Sequence, residues 1–257
     1  MAAVRLLSPP NITRYSHFCV SLSHSLQPFI STVTPFSRDF HSRNPALRVS
    51  AGNGSNSKER RADIVLGDPT PLNPSSAIDF LMLCHQLKTT KRKGWINHGI
   101  EGPESIADHM YRMSLMALIV DDLPGVNRER CIKIAIVHDM AEAIVGDITP
   151  SDGVPKAKKS KLERAALNEM CQILGGGFRA DEIKELWEEY ENNSSLEANL
   201  VKDFDKIEMI LQALEYEIEH GKILDEFFLS TKGKFQTEIG KNWAAEVIAR
   251  RKMDSGN

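Results

Sequence analysis

The segment His138-Asp139-Met140-Ala141-Glu142 follows an apolar run, Ile132, Ile134, Ala135, Ile136 and Val137. A helix that buries this run and then presents an imidazole and two carboxylates must satisfy them, because burying an unpartnered polar group is costly and burying an unpartnered charge more so. One divalent ion would satisfy them together, since neutral imidazole and carboxylate are ordinary ligands for manganese, iron, cobalt or zinc. Glu142 stands one turn beyond His138 and faces the same side of a helix. Taken alone a His-Asp pair is a weak signal, because such dipeptides arise by chance.

Two further segments strengthen it. Upstream, Glu104-Ser105-Ile106-Ala107-Asp108-His109 opens a helix on which His109 falls between Ile106 and Met113 in the apolar stripe. A single histidine there reads equally as a hydrogen-bonded core residue. Downstream, Val201-Lys202-Asp203-Phe204-Asp205-Lys206-Ile207 sets carboxylates in the middle of another amphipathic helix. Either aspartate reads as an ordinary surface acid, but Asp205 shares a flank with Val201 and Met209 and so points inward.

These groups need helices to position them, and the pattern supplies helices. From Ser75 onward apolar residues recur at spacings of three and four, with no convincing alternating strand. The periodicity predicts helices over 75–88, 105–120, 128–144, 156–174, 180–191, 195–220 and 236–252, an all-α single domain. Leu123-Pro124-Gly125, the stretch from Gly146 to Pro155, and Gly175-Gly176-Gly177 interrupt them. The last of these lacks the Lys-Ser/Thr of a phosphate loop and reads as a helix terminator. Lys156, Lys158, Lys159 and Lys161 read as a solvated helix start, with a phosphate-attracting rim as the alternative.

Composition bounds the rest. Residues 1–57 carry Arg5, Arg14, Arg38, Arg43 and Arg48 against a single acid, Asp39, and are rich in Ser, Thr and Pro. That is the composition of an organelle transit peptide. Val49-Ser50-Ala51 resembles a plastid cleavage site, so the expectation is a chloroplast protein, with the mitochondrion as alternative. The expected organisation is a leader over 1–57, a linker over 58–74, the catalytic domain over 75–220 and a helical extension over 221–257. The net charge of −3 becomes more negative once the leader is removed, which argues against a nucleic-acid groove. Apolar stretches are broken well short of the roughly 20 residues a membrane helix needs. Cys19, Cys84, Cys131 and Cys171 show no paired spacing, so neither a zinc knuckle nor a disulfide framework is expected.

His109, the pair His138-Asp139, and Asp205, on three separate expected helices, resemble the metal-binding signature of the HD phosphohydrolase superfamily. The stretch from His138 through Glu142 to Gly146-Asp147-Ile148-Thr149-Pro150 is similar to the HD-domain 5'-deoxynucleotidases. The resemblance implies an HD-domain helical bundle in which His109, His138, Asp139 and Asp205 hold one divalent metal (Mn, Co, Fe or Zn, with Mg possible). It implies catalytic or substrate-facing roles for Glu142 and Asp147. It implies phosphate and sugar contacts from Lys91-Arg92-Lys93-Gly94-Trp95, with Trp95 against the sugar or simply in the core. Bacterial members resembled here carry Arg directly before this Trp; Gly94 stands there instead, leaving Arg92 or Lys93 to supply the charge. The family's V-K-x-x-D spacing selects Asp205 over Asp203. The implied substrates are deoxyribonucleoside 5'-monophosphates, and the implied assembly is a homodimer, for which Phe227, Phe228 and Trp243 offer apolar surface unless they fill the core.

Two other readings compete. Guanosine tetraphosphate hydrolases of the same superfamily carry Glu-Asp after HD-x-x, whereas Ala143 follows Glu142, and cyclic-dinucleotide enzymes carry a Gly-Tyr-Pro segment absent from this chain. A catalytically silent nucleotide sensor would keep the metal ligands without turnover.

Overall fold

The computed structural model describes residues 71–254. The expected leader, its Val49-Ser50-Ala51 site and most of the linker lie outside the described residues. Among the described residues ten α-helices follow in order: α1 (Pro74–Thr89), α2 (Lys93–Asn97), α3 (Ile106–Ile119), α4 (Arg128–Val137), α5 (Glu142–Val145), α6 (Lys156–Ile173), α7 (Gly177–Asn192), α8 (Leu196–His220), α9 (Asp225–Thr231) and α10 (Glu238–Asp254). A short 3-10 turn spans Pro150–Asp152. Among the described residues the one β-type pairing is an isolated antiparallel bridge between Lys91 and Ser105.

Local chemistry explains where the helices start and stop. The Asn73 side chain accepts from the Ser75 amide and Pro74 opens α1, where its missing N–H costs nothing. Ser105 and Asp108 form a reciprocal capping box at the start of α3, satisfying two otherwise orphaned amides. The Asn127 side chain accepts from the Arg130 amide to cap α4, and the Ser195 side chain accepts from the Ala198 amide to cap α8. After α6 the Gly176 amide bonds the Cys171 carbonyl and Gly175 bonds that of Gln172, a Schellman closure that needs a left-handed residue, and Gly175 provides it at φ 97°.

The 25-residue helix α8 is the spine. Its Leu200, Val201, Phe204 and Ile207 enter one core with Ile106 and Met113 of α3, Ile134 of α4, Leu167 and Met170 of α6 and Trp187 of α7. Farther along, Ile210, Ala213, Leu214 and Tyr216 enter a second cluster with Trp95, Ile100, Leu224, Phe228 and, from α10, Ala244 and Val247. Phe228 therefore fills the core, and Trp243 stacks on Phe204 with ring centroids 5.4 Å apart. No helix among the described residues is long and apolar enough to cross a membrane.

Two departures from the sequence expectation matter for the site. The helix expected over 128–144 ends at Val137, and the chain continues through i→i−3 bonds, Met140 to Val137, Glu142 to Asp139 and Ala143 to Met140. At three residues per turn Asp139 and Glu142 lie in register, so the tightened turn aims both carboxylates the same way. Helices α2 and α9, five and seven residues long, were not expected, because so short an element carries too little periodicity to read.

Candidate metal centre and substrate cavity

Three elements converge on one buried point. His109 of α3, His138 just after α4 and Asp205 of α8 bring ligand atoms within 4.8 Å of one another. Asp139 joins them, its Oδ2 lying 3.2 Å from His138 Nε2 and 3.8 Å from His109 Nε2, while Asp205 Oδ1 is 3.4 Å from His109 Nε2. Each imidazole is oriented from behind. His138 Nδ1 is 2.9 Å from the Ala135 carbonyl, which only accepts, so Nδ1 carries the proton. His109 Nδ1 donates to Glu208 Oε2 at 2.6 Å. Both rings therefore turn Nε2 toward the carboxylates, and both Nε2 atoms are buried without a hydrogen-bond partner.

Two orphaned imidazole nitrogens facing two carboxylates fit a divalent transition metal: the donor types are right, and the ion would supply the partner that burial otherwise denies them. The electrostatics agree. Burial alone would suppress the charge on His109, yet Glu208 and Asp205 prevail and raise its pKa. Burial would likewise raise the pKa of Asp139 and Asp205, but the facing histidines hold both carboxyls below the usual range. The pocket is built to hold positive charge. Tyr190 donates to the second oxygen of Asp205 at 2.8 Å and fixes that carboxylate.

A cavity of about 590 Å³ opens beside this point, bordered by His138, Asp139, Glu142, Asp147 and Asp205, by Arg92 and Trp95, by Lys156 and Lys159, and by Phe227 of α9. Glu142 is 2% exposed, and its Oε2 has no partner. Burial, reinforced by Asp139 and Asp147, raises its pKa well above the carboxylate range. Lys159 Nζ lies 3.5 Å from Glu142 and 3.3 Å from Glu163. Arg92 reaches the metal side, Nη1 lying 3.1 Å from Asp139 Oδ2.

Most of the sequence-selected residues thus come together. Asp205 enters the site, whereas Asp203 turns away to accept from the Gln236 and Thr237 amides. Arg92 borders the cavity, but Lys93 does not: its amide donates to Asp147 at 2.7 Å, and its side chain, 42% exposed, is ion-paired with Asp152. Trp95 borders the cavity while only 2% exposed. Its Nε1 donates to Glu104 at 2.8 Å and its ring packs on Phe227 at 4.3 Å, so it belongs to the core as much as to the wall. Of the lysine run, Lys156 and Lys159 border the cavity. Sequence reading missed Glu208, Tyr190 and Phe227. Glu208, one turn after Asp205 in an amphipathic helix, was a findable buried acid; nothing in the sequence marks Tyr190.

The model of the HD domain matches residues 84–247. A zebrafish (Danio rerio) protein named 5'-deoxynucleotidase HDDC2 is 54% identical over 160 residues, covering 62% of this chain and 79% of the relative. Its Dictyostelium discoideum counterpart of the same name is 45% identical over 190 residues, covering 69% of this chain and all of the relative. The crystal structure of a Pyrococcus horikoshii protein superposes with a TM-score of 0.56 at 35% identity, covering 68% of this chain and 97% of that one. With the matched model spanning most of the described residues and its histidines and aspartates gathered at one buried point, this chain belongs to the HD-domain family.

Proposed function

We propose that the protein is a metal-dependent phosphomonoester hydrolase converting deoxyribonucleoside 5'-monophosphates to deoxyribonucleosides and inorganic phosphate. The observation that carries this reading is the pair of unpartnered Nε2 atoms of His109 and His138 facing Asp139 and Asp205 on the cavity wall. The names borne by the zebrafish and Dictyostelium relatives supply the substrate class. A manganese, cobalt, iron or zinc ion held by these four residues would acidify water toward a pKa of roughly 7 and offset charge on the phosphoryl group.

The chain's own residues do the rest. Arg92 is the cation ion-paired with Asp139 on the metal side of the cavity and binds the phosphate, with Lys159 and Lys156 adding positive charge to the wall. A water oxygen bonds to phosphorus, the bond from phosphorus to the 5'-oxygen breaks, and the leaving oxygen takes a proton. Glu142, a buried cavity carboxyl with one free oxygen, holds that water or delivers that proton. Asp147, fixed by the Lys93 amide, is the second carboxylate for the task. The Trp95 and Phe227 rings form the apolar wall against which the sugar packs.

In its cellular setting we read the chain as a homodimer carried into the plastid. The exposed row Tyr111, Leu115, Leu118 and Ile119 along α3 supports the first, and the arginine-rich, acid-poor leader supports the second.

The test is phosphate release from paired deoxy- and ribonucleoside 5'-monophosphates by protein stripped of metal and resupplied with manganese, cobalt, zinc or magnesium. Metal-dependent release favouring the deoxy forms is expected; binding without release from any of them would point to a silent sensor instead. Glu142→Ala should keep its metal while losing about 10²–10⁴-fold in rate.

A further inference from the structure

We propose that Glu208 is the positioning residue that fixes His109 for metal binding, and that Arg112 is the clamp holding Glu208. The inference rests on the metal site described above and asks what keeps that site assembled. An imidazole ligates with one nitrogen only if the ring is held in one orientation and one tautomer, and the hydrogen bond made by the other nitrogen sets both. For His138 that bond goes to a backbone carbonyl, Ala135. For His109 it goes to a side chain, Glu208, and both residues are fully buried.

A lone carboxylate at that depth would be prohibitively costly unless charge met it. Arg112 meets it. Its Nε lies 2.8 Å and its Nη2 2.7 Å from Glu208 Oε1, leaving Oε2 wholly for His109. The guanidinium is itself held by Glu215 at 2.7 Å and by Gln212. Spacing makes this possible: residues 109 and 112 lie on one face of α3, and residues 208, 212 and 215 lie on one face of α8. The seam between the two helices is thus a relay from a half-buried arginine to a metal ligand. It does not line the substrate cavity, so no contact with substrate accounts for it.

The experiment is a titration of the full, metal-stripped chain with cobalt(II) alone, against a competing chelator, following the visible spectrum of the bound ion. Glu208→Ala should bind cobalt about 10–100-fold more weakly and show a changed spectrum. Glu208→Gln has one acceptor oxygen where the carboxylate uses two, so with that oxygen on Nδ1–H its amide NH2 meets the Arg112 donors, and it should recover only part of that loss. A folded Glu208→Ala protein with wild-type cobalt affinity and spectrum overturns the proposal.

Should Glu208→Ala fail to fold, Glu208→Asp decides. It keeps the charge but stops one methylene short of the imidazole, so roughly tenfold weaker binding supports the role and unchanged binding overturns it. Arg112→Met should weaken cobalt several-fold; wild-type affinity there removes the clamp from the proposal. Cobalt affinity is read without any nucleotide, so failure of the deoxynucleotidase reading would leave these outcomes interpretable.

Discussion

The two ends of the cavity are built differently. At the metal end the ligands ride on the long helices α3 and α8 and on the tight turn after α4, with His109 and His138 at 0% and 4% exposure. Away from the metal the walls come partly from α6, through Lys156 and Lys159, and partly from α2, the 3-10 turn at Pro150–Asp152 and α9, none of these three longer than seven residues. These short pieces are tied together by outward-facing contacts: Lys93 with Asp152, His98 with Glu226, and Asn97 Nδ2 donating to Ser151 at 3.0 Å. Buried bonds are strong and unforgiving, whereas exposed ion pairs are each worth about 0–1 kcal/mol and are screened by salt. The chemistry is therefore anchored by buried bonds, whereas recognition is shared with short segments whose ties to one another are exposed.

Substitutions put that contrast to the test. The largest effect belongs to His138→Ala, which should lose bound metal and reduce phosphate release by at least about 10³-fold, given the several kcal/mol a metal contributes; metal analysis beside the rate assay checks both. Arg92→Ala spans the two ends. It should lower kcat/KM by about 10–100-fold, the worth of a charge-assisted hydrogen bond of about 1.5–3 kcal/mol, while metal content stays unchanged.

Phe227→Ala, a change at the mouth alone, should raise KM by about tenfold with kcat unaltered, since apolar packing discriminates by about 1–3 kcal/mol. Lys93→Ala should change kcat/KM by less than about threefold, because its partner is the exposed pair with Asp152. A loss as large as that of Arg92→Ala would transfer the phosphate role to Lys93 and erase the contrast.

The same division explains what could be read from the sequence. His109 and Asp205 sit on helices long enough to show a buried stripe, and His138 and Asp139 directly follow another, so those helices and the inward direction of these residues were legible. The turn at His138 was not, since its i→i−3 bonds leave the apolar spacing of 128–144 intact. Arg92 and Lys93 are adjacent and both basic; which of them faces the cavity depends on the Lys93 amide binding Asp147 and on where Asp152 stands, neither of which leaves a pattern. Glu208 and Tyr190 act through contacts formed only when α3, α7 and α8 pack together.

Asp203, the aspartate that turned out not to face the cavity, ties the far end of the chain to the site. Its carboxylate accepts from the Gln236 and Thr237 amides and the Thr237 hydroxyl, and that hydroxyl accepts from the Gly240 amide at 2.9 Å. A Cβ placed on Gly240 would lie 2.7 Å from Asp203 Cγ and 2.8 Å from its Cβ, closer than real contacts allow. Even alanine at position 240 must therefore push on α8 two residues before Asp205. Mutational intolerance at this centre reaches 35 residues beyond its last ligand, and a small change in α10 would register first as poor metal retention.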